Sequence, residues 1–290
     1  RSSFGIYPLK GKLLNVKNAS SAQIAGNKEL TDIIQILNLK HNVDYTKESN
    51  FKTLSYGKVL ILADSDVDGR HIASLIILFF HRLFPSLLYR DDSFLKLCMT
   101  PIAKLKLRGN ETLTFYSDYH YQKKLQEIEA SNEKIQSVKY FKGLGTSTDK
   151  DIRSFADKIV NLKYTGQESD LSLDIAFDKS KTTQRKDWML DFDRENYIDV
   201  DEDNNYTIPR FFNQELILFS LDDTHRSIGS ILDGLKPSQR KILYCAFKKN
   251  LKYDSDSTIK VAQLSGYVSE QTNYHHGEEC LNQSIIRSEE

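Results

Sequence analysis

"KVLILADSDVDGRHIASLIILFF", residues 58–80, decides how the rest of the chain is read. The apolar residues 59–63 run into three aspartates at alternate positions, Asp64, Asp66 and Asp68, closed by Gly69. The apolar stretch is short, aliphatic and bounded by Gly57 and the acids, which predicts a strand covered on both faces. Beyond it Ile72, Leu75, Ile76, Phe79, Phe80 and Leu83 recur at helical spacing and Pro85 stops the segment, which predicts an amphipathic helix. Side chains two residues apart on an extended backbone face the same way. A strand persisting through Asp66 would therefore project Asp64 and Asp66 together, roughly 7 Å apart at their Cα atoms. Carboxylates crowded in this way repel unless a proton or a cation intervenes. Mg²⁺ suits them, because it takes one or two carboxylates, keeps several waters and completes its shell with phosphate oxygens.

Two other readings of the acids stand beside this one. D-x-D-x-D-G opens an EF-hand loop, but that loop needs an acid at its twelfth position, here Leu75, and a helix before it. A solvated turn that happens to be acidic is the other. Neither accounts for the whole combination of apolar strand, alternating acids, glycine and helix.

Working outward, residues 96–107 ("KLCMTPIAKLKL") read as a further strand with an edge or bend at Pro101. Strand, helix and strand make an α/β unit. Residues 112–130 read as a strand turning into a helix, and residues 137–160 as strand, glycine turn and helix. "KGLGTST" lacks the Gly-Lys-Ser/Thr ending of a P-loop, which argues against ATP binding here; Thr148 and Asp151 pair instead as a helix cap. Residues 191–203, "DFDRENYIDVDED", carry seven acids against one arginine and read as a solvated linker. Three regions follow: an α/β metal-binding domain over 1–108, a connecting α/β region over 109–203 and a helix-rich region over 204–290.

Forty basic and forty acidic residues cancel, so nucleic-acid binding must come from local clusters. Cys98, Cys245 and Cys280 lie far apart with no CxxC pair, which fits a reducing compartment and inert packing roles. No apolar run approaches the ~20 residues that span a bilayer, so no membrane partner is expected. Among local clusters, residues 233–252 carry six bases against one acid, Asp233. Gly234 makes a turn, Pro237 suits a first helical turn, and Lys236 and Arg240 beside that helix N-terminus make a phosphate seat. In "PLKGKLLNV" (8–16), Gly11 lets backbone approach a ligand closely and Lys12 offers a point charge before an apolar strand. Ala262 and Gly266 have the spacing of some helix-turn-helix units, a weak signal alone. His275 and His276 lack metal-ligand spacing. Trp188 reads as a core residue.

The D-x-D-x-D-G motif resembles the metal-binding motif of Toprim domains, and its flanks resemble the eukaryote-type (type IIA) DNA topoisomerase II family. "FGIYPLKGKLLNV", "TPIAKLK", "YFKGLGTSTDKD", "NQELILFS", "DGLKPSQRK", "VAQLSGYVSE" and "YHHGE" are similar to that family's segments in the family's order and cover nearly all of the chain. The resemblance implies a Rossmann-like Toprim sheet followed by the first part of a winged-helix domain. It implies a homodimer that cuts both strands of one duplex, passes another through and reseals, relaxing and decatenating DNA. Mg²⁺, replaceable by Mn²⁺ or Ca²⁺, would be held by Asp64, Asp66 and Asp68, and ATP would be bound outside this segment. Double-stranded DNA contacts would fall to Lys12, Asn15, Arg185, Lys186, Lys236, Arg240, Tyr274, His275 and His276. The family's first Toprim glutamate and its nucleophilic tyrosine have no counterpart here; Pro209-Arg210-Phe211 mimics the tyrosine's context but offers no hydroxyl. Lys10, Arg70 and Ser238 depart from the family's pattern, which suggests a divergent, virus-encoded member. The expected compartment is the nucleus for a cellular enzyme and the host cytoplasm for a virus that replicates there. The rival classes are a Toprim-bearing primase or nuclease and a non-catalytic DNA-binding module.

Overall fold

The computed structural model describes residues 4–109, 111–131, 133–141, 143–144, 147–155, 158–193, 204–252, 258–274 and 276–289. It divides into two compact units, Arg1–Phe219 and Ser220–Glu290. Most of the acidic run of residues 191–203 lies outside the described residues.

In the first unit an irregular N-terminal segment leads into α1 (Ser21–Ala25), α2 (Lys28–Leu37) and α3 (Glu48–Phe51). The strand expected over residues 13–16 is absent. Leu13 and Val16 drop into the core instead, and Lys12 and Asn15 stay on the surface. β1 (Val59–Ile61) then meets α4 (Val67–Leu83), the central helix. Every residue of α4 from Ala73 to Phe80 is buried, so it is a core helix packed on all sides rather than an amphipathic one. Phe79, Phe80 and Phe94 meet edge to face within that core, at centroid separations of 4.9 and 5.5 Å.

β2 (Leu95–Cys98) lies parallel to β1, and the chain then breaks at Pro101. Residues 96–107 are therefore two strands in two sheets, not one bent strand. β3 (Ala103–Leu107) stands between β4 (Thr112–Phe115) and β5 (Ile135–Tyr140) in an antiparallel sheet. α5 (Asp118–Ser131) packs its Tyr121 and Ile128 against that sheet's core. After α6 (Asp149–Phe155), β6 (Ile159–Lys163) returns to the first sheet, antiparallel to β2. α7 (Gln167–Phe177) and α8 (Thr182–Leu190) follow, and β7 (Asn205–Thr207) pairs parallel to β6. Tyr206, Ile208, Phe211 and Phe212 sink into the same core as α4, so the chain just past the acidic run belongs to the first unit. The first sheet thus runs β1-β2-β6-β7 and is mixed, within an α/β architecture.

Among the described residues, the strand preceding the acids is the sheet's edge and not a covered central strand: β1 hydrogen-bonds there to β2 alone, and Leu60 is 49% exposed. Aliphatic composition shows that a strand has an apolar face, not which neighbour covers it.

After α9 (Ile208–Phe211) comes a π-helical turn, Phe212–Leu216, which continues into α10 (Ile217–Ser227). In the second unit α11 (Pro237–Lys248), α12 (Val261–Thr272) and α13 (Glu278–Glu289) enclose a core of Ile242, Cys245, Leu264, Val268, Leu281 and Ile285. Cys98 and Cys245 are buried, as packing roles require, but Cys280 is exposed, one residue before the core residue Leu281.

Candidate metal and nucleic-acid site

The acids lie where β1 gives way to α4. β1 ends at Ile61, so the extended backbone that would have aimed Asp64 and Asp66 together does not persist. Asp66 is instead the N-cap of α4, its carboxylate accepting the Gly69 N–H at 2.8 Å. A short acidic side chain satisfies an unpaired helix N–H better than a strand continuation would, and the local cap wins. Asp64 turns toward the glycine loop and accepts the Leu144 N–H at 2.7 Å. Asp68, in the first turn of α4, pairs with Lys12 at 2.8 Å. Each carboxylate is thus answered by a different donor.

Side chains fix the backbone around them. The Thr100 hydroxyl donates to the Ala63 carbonyl at 3.2 Å, and the Ser65 hydroxyl donates to the Phe141 carbonyl at 3.2 Å. The glycine loop that supplies the Leu144 N–H runs into α6 through a reciprocal cap: Thr148 N–H donates to Asp151 and Asp151 N–H donates to the Thr148 hydroxyl. The expected capping pair is therefore present. Lys139, 2.6 Å away, and then Thr148 hold the Asp151 carboxyl far below its ordinary range. A depressed carboxyl stabilises the fold above its unfolded pKa, and the stabilisation is lost as pH falls through the folded one. Between about pH 4 and pH 2 the parent should lose urea resistance more steeply than Asp151→Asn; matching slopes would refute this role.

Among the described residues no three His, Cys, Asp or Glu side chains come together in a ready-made metal cage. The donor set still fits one cation class. Hard carboxylate oxygens at one rim suit Mg²⁺, which needs only one or two of them and keeps its waters, whereas Ca²⁺ asks for six to eight oxygens.

The other expected contacts are distributed over both units. Lys12 lies 4.5 Å over the Phe219 ring as well as against Asp68, and Asn15 accepts the Lys17 N–H. Arg185 is half-buried, and its Nε and Nη2 donate to the Ile175 and Asp178 carbonyls at the end of α7, while Lys186 is exposed. Trp188 packs against the core with its indole N–H on Asn213. In the second unit Pro237 opens α11, with Lys236 and Arg240 both exposed and Arg240 paired to Asp233 at 2.7 Å. Gly234 takes the left-handed conformation that the turn before α11 requires. Tyr274 packs on the helical core, with His276 5.5 Å away by ring centroids. Burial, then a hydrogen bond to Cys280, pushes the Tyr274 hydroxyl up to about 12. His275 lies outside the described residues.

Residues 1–92 match the Toprim domain family and residues 98–224 the C-terminal associated domain of TOPRIM. Residues 226–288 match the A-subunit family of DNA gyrase/topoisomerase IV. The chain is 42% identical to DNA topoisomerase 2-alpha of Homo sapiens over 99% of its length. The chain belongs to the type II DNA topoisomerase family. It is 40% identical to DNA topoisomerase 2 top-2 of Caenorhabditis elegans, again over 99% of its length. It spans 19% of each of these two topoisomerases. Among solved structures, the DNA-binding, cleavage and re-ligation domain of Plasmodium falciparum topoisomerase II superposes on 97% of this chain and 37% of that one. Its TM-score is 0.76 at 40% identity.

Arg70, which stands out in the sequence only as a departure from the family's pattern, and Glu215 form a pair beside the acidic rim. Glu215 is an acid inside the apolar run "ELILFS", and an arginine follows the motif glycine. Both were signals for a buried pair.

Proposed function

We propose that this chain supplies the metal-binding and much of the DNA-binding surface of a type IIA DNA gate, which cuts one duplex, lets another pass and reseals the break. The observation that carries the reading is the acidic rim at β1 and α4, held by the first turn of α4, Leu144 and Lys12, in a chain of topoisomerase II descent. Asp66 and Asp68, with Asp64, would hold Mg²⁺. When bound, the ion neutralises charge developing on the phosphate and steadies the leaving oxygen. Lys12, paired with Asp68 beside that site, would offer its ammonium to a DNA phosphate. The N-terminus of α11, with Lys236 and Arg240, takes a second phosphate, and Lys186, Tyr274, His275 and His276 add contacts. Arg185 contributes by fixing the end of α7. The assembly is a homodimer in the nucleus, with ATP bound by a region beyond this chain.

Calorimetric titration of Mg²⁺ into the chain with a nicked duplex tests the reading. Saturable uptake is expected, together with DNA affinity that falls steeply with salt. Replacing both Lys236 and Arg240 by alanine should reduce the slope of log affinity against log salt by about 2, since each phosphate contact contributes ~0.9. Salt-dependent binding without any divalent uptake would leave only a DNA-binding module.

A further inference from the structure

Arg70 stands in the first turn of α4, directly after the motif glycine, with its side chain only 14% exposed. Its Nε pairs with the carboxylate of Glu215, which is 5% exposed and sits in the π-helical turn. One guanidinium nitrogen, Nη1, donates to the carbonyl of Ser65 at 2.5 Å. Ser65 is the residue between Asp64 and Asp66, and its own hydroxyl is held by Phe141. A small cavity of about 30 Å³ lies among Asp64, Ser65, Arg70, Thr100 and Glu215, room for about one water.

A buried ion pair is weak evidence for stability, because desolvation offsets most of the attraction. What this pair does have is geometry. The planar fork of an arginine holds two partners at fixed angles, which a lysine point charge does not. Here the two partners are an acid on a π-helical turn, a feature frequent at functional sites, and the carbonyl between two rim aspartates.

We propose that Arg70 and Glu215 are positioning residues for the divalent-cation site: Glu215 fixes the guanidinium, and the guanidinium fixes the Ser65 carbonyl, so that Asp64 and Asp66 are presented at a constant spacing. The inference rests on the metal reading above and assigns that site its supporting partners. Outer partners of this kind typically govern 10–100-fold in metal affinity.

Mn²⁺ binding to the full 290-residue chain, followed by electron paramagnetic resonance, separates the possibilities. The double variant Arg70→Met/Glu215→Met removes both charges together and fills the space with apolar atoms, so its unfolding temperature should stay near the parent's. Its Mn²⁺ affinity should nevertheless fall at least ~10-fold. A folded double variant that binds Mn²⁺ like the parent overturns the proposal. Should that variant fail to fold, Arg70→Lys serves: it keeps the pair with Glu215 but not the fork to Ser65, and is expected to be stable with weakened Mn²⁺ binding. Parent-like affinity in folded Arg70→Lys overturns the proposal equally. A parent chain that takes up no more Mn²⁺ than Asp66→Asn overturns the metal reading itself, a distinct result.

Discussion

Asp66→Asn is expected to leave the fold intact and to abolish divalent uptake. The two consequences separate because Asp66 has two roles. As N-cap of α4 it accepts the Gly69 N–H, and asparagine caps a helix as well as aspartate does. As a rim acid it contributes a full negative charge, which asparagine lacks. The unfolding temperature should therefore match the parent's, while Asp66→Ala, which loses the cap as well, should cost about 1 kcal/mol of stability. For the reaction, this chain can replace the matching segment of the human relative, which it matches over 99% of its own length. Cleavage by that chimera should fall ~10³-fold or more with Asp66→Asn, as loss of several kcal/mol of charge stabilisation requires. A chimera carrying Asp66→Asn that cleaves duplex DNA at the parent rate would remove the acid from the chemistry.

How far the acidic rim could be read in advance follows from which forces are local. The run of α4 up to Pro85, the Thr148–Asp151 cap and Pro237 opening α11 were legible, because each is fixed by neighbours within four residues or by a residue's own backbone constraint. The place of the acids, between a strand and a helix, was legible too, from three acids and a glycine behind an apolar run. Their arrangement was not. Alternation along a strand puts Asp64 and Asp66 on one face only if the strand continues, and α4 begins too soon for that. The donors that answer Asp64 and Asp68, Leu144 and Lys12, come from other segments of the chain. Residues 96–107 were equally ambiguous, since Pro101 bends a strand and divides two strands in the same way. The exposed side of β1, the switch of Arg185 to the carbonyls of α7 and the Arg70–Glu215 pair all depend on contacts that no window of sequence contains. Burial patterns reveal that a face is apolar; partners emerge from tertiary packing.

Gly69→Ala should damage the same site by a different route. A Cβ added at Gly69 would lie 2.2 Å from the Asp64 carbonyl oxygen and 3.0 Å from the Asp64 backbone carbon and nitrogen. Those atoms are main chain and cannot rotate aside, so either the acidic loop or the first turn of α4 must move. Both are tied down: Gly69 N–H donates to Asp66, Ser65 is bonded to Phe141 and Arg70, and Thr100 holds the Ala63 carbonyl. Overpacking against atoms that cannot yield typically costs about 1–3 kcal/mol, so the unfolding temperature should drop measurably. Whatever displacement relieves the clash also changes the Asp64–Asp66 spacing, and Mn²⁺ affinity should fall ~10-fold or more with it. Gly11→Ala is the matched control, because a Cβ there meets nothing within 4 Å. It should fold like the parent and bind Mn²⁺ normally, yet bind DNA less tightly where that backbone approaches the duplex. If Gly69→Ala matches Gly11→Ala in both unfolding temperature and Mn²⁺ affinity, the tight packing of Asp64 on α4 has no part in shaping the cation site.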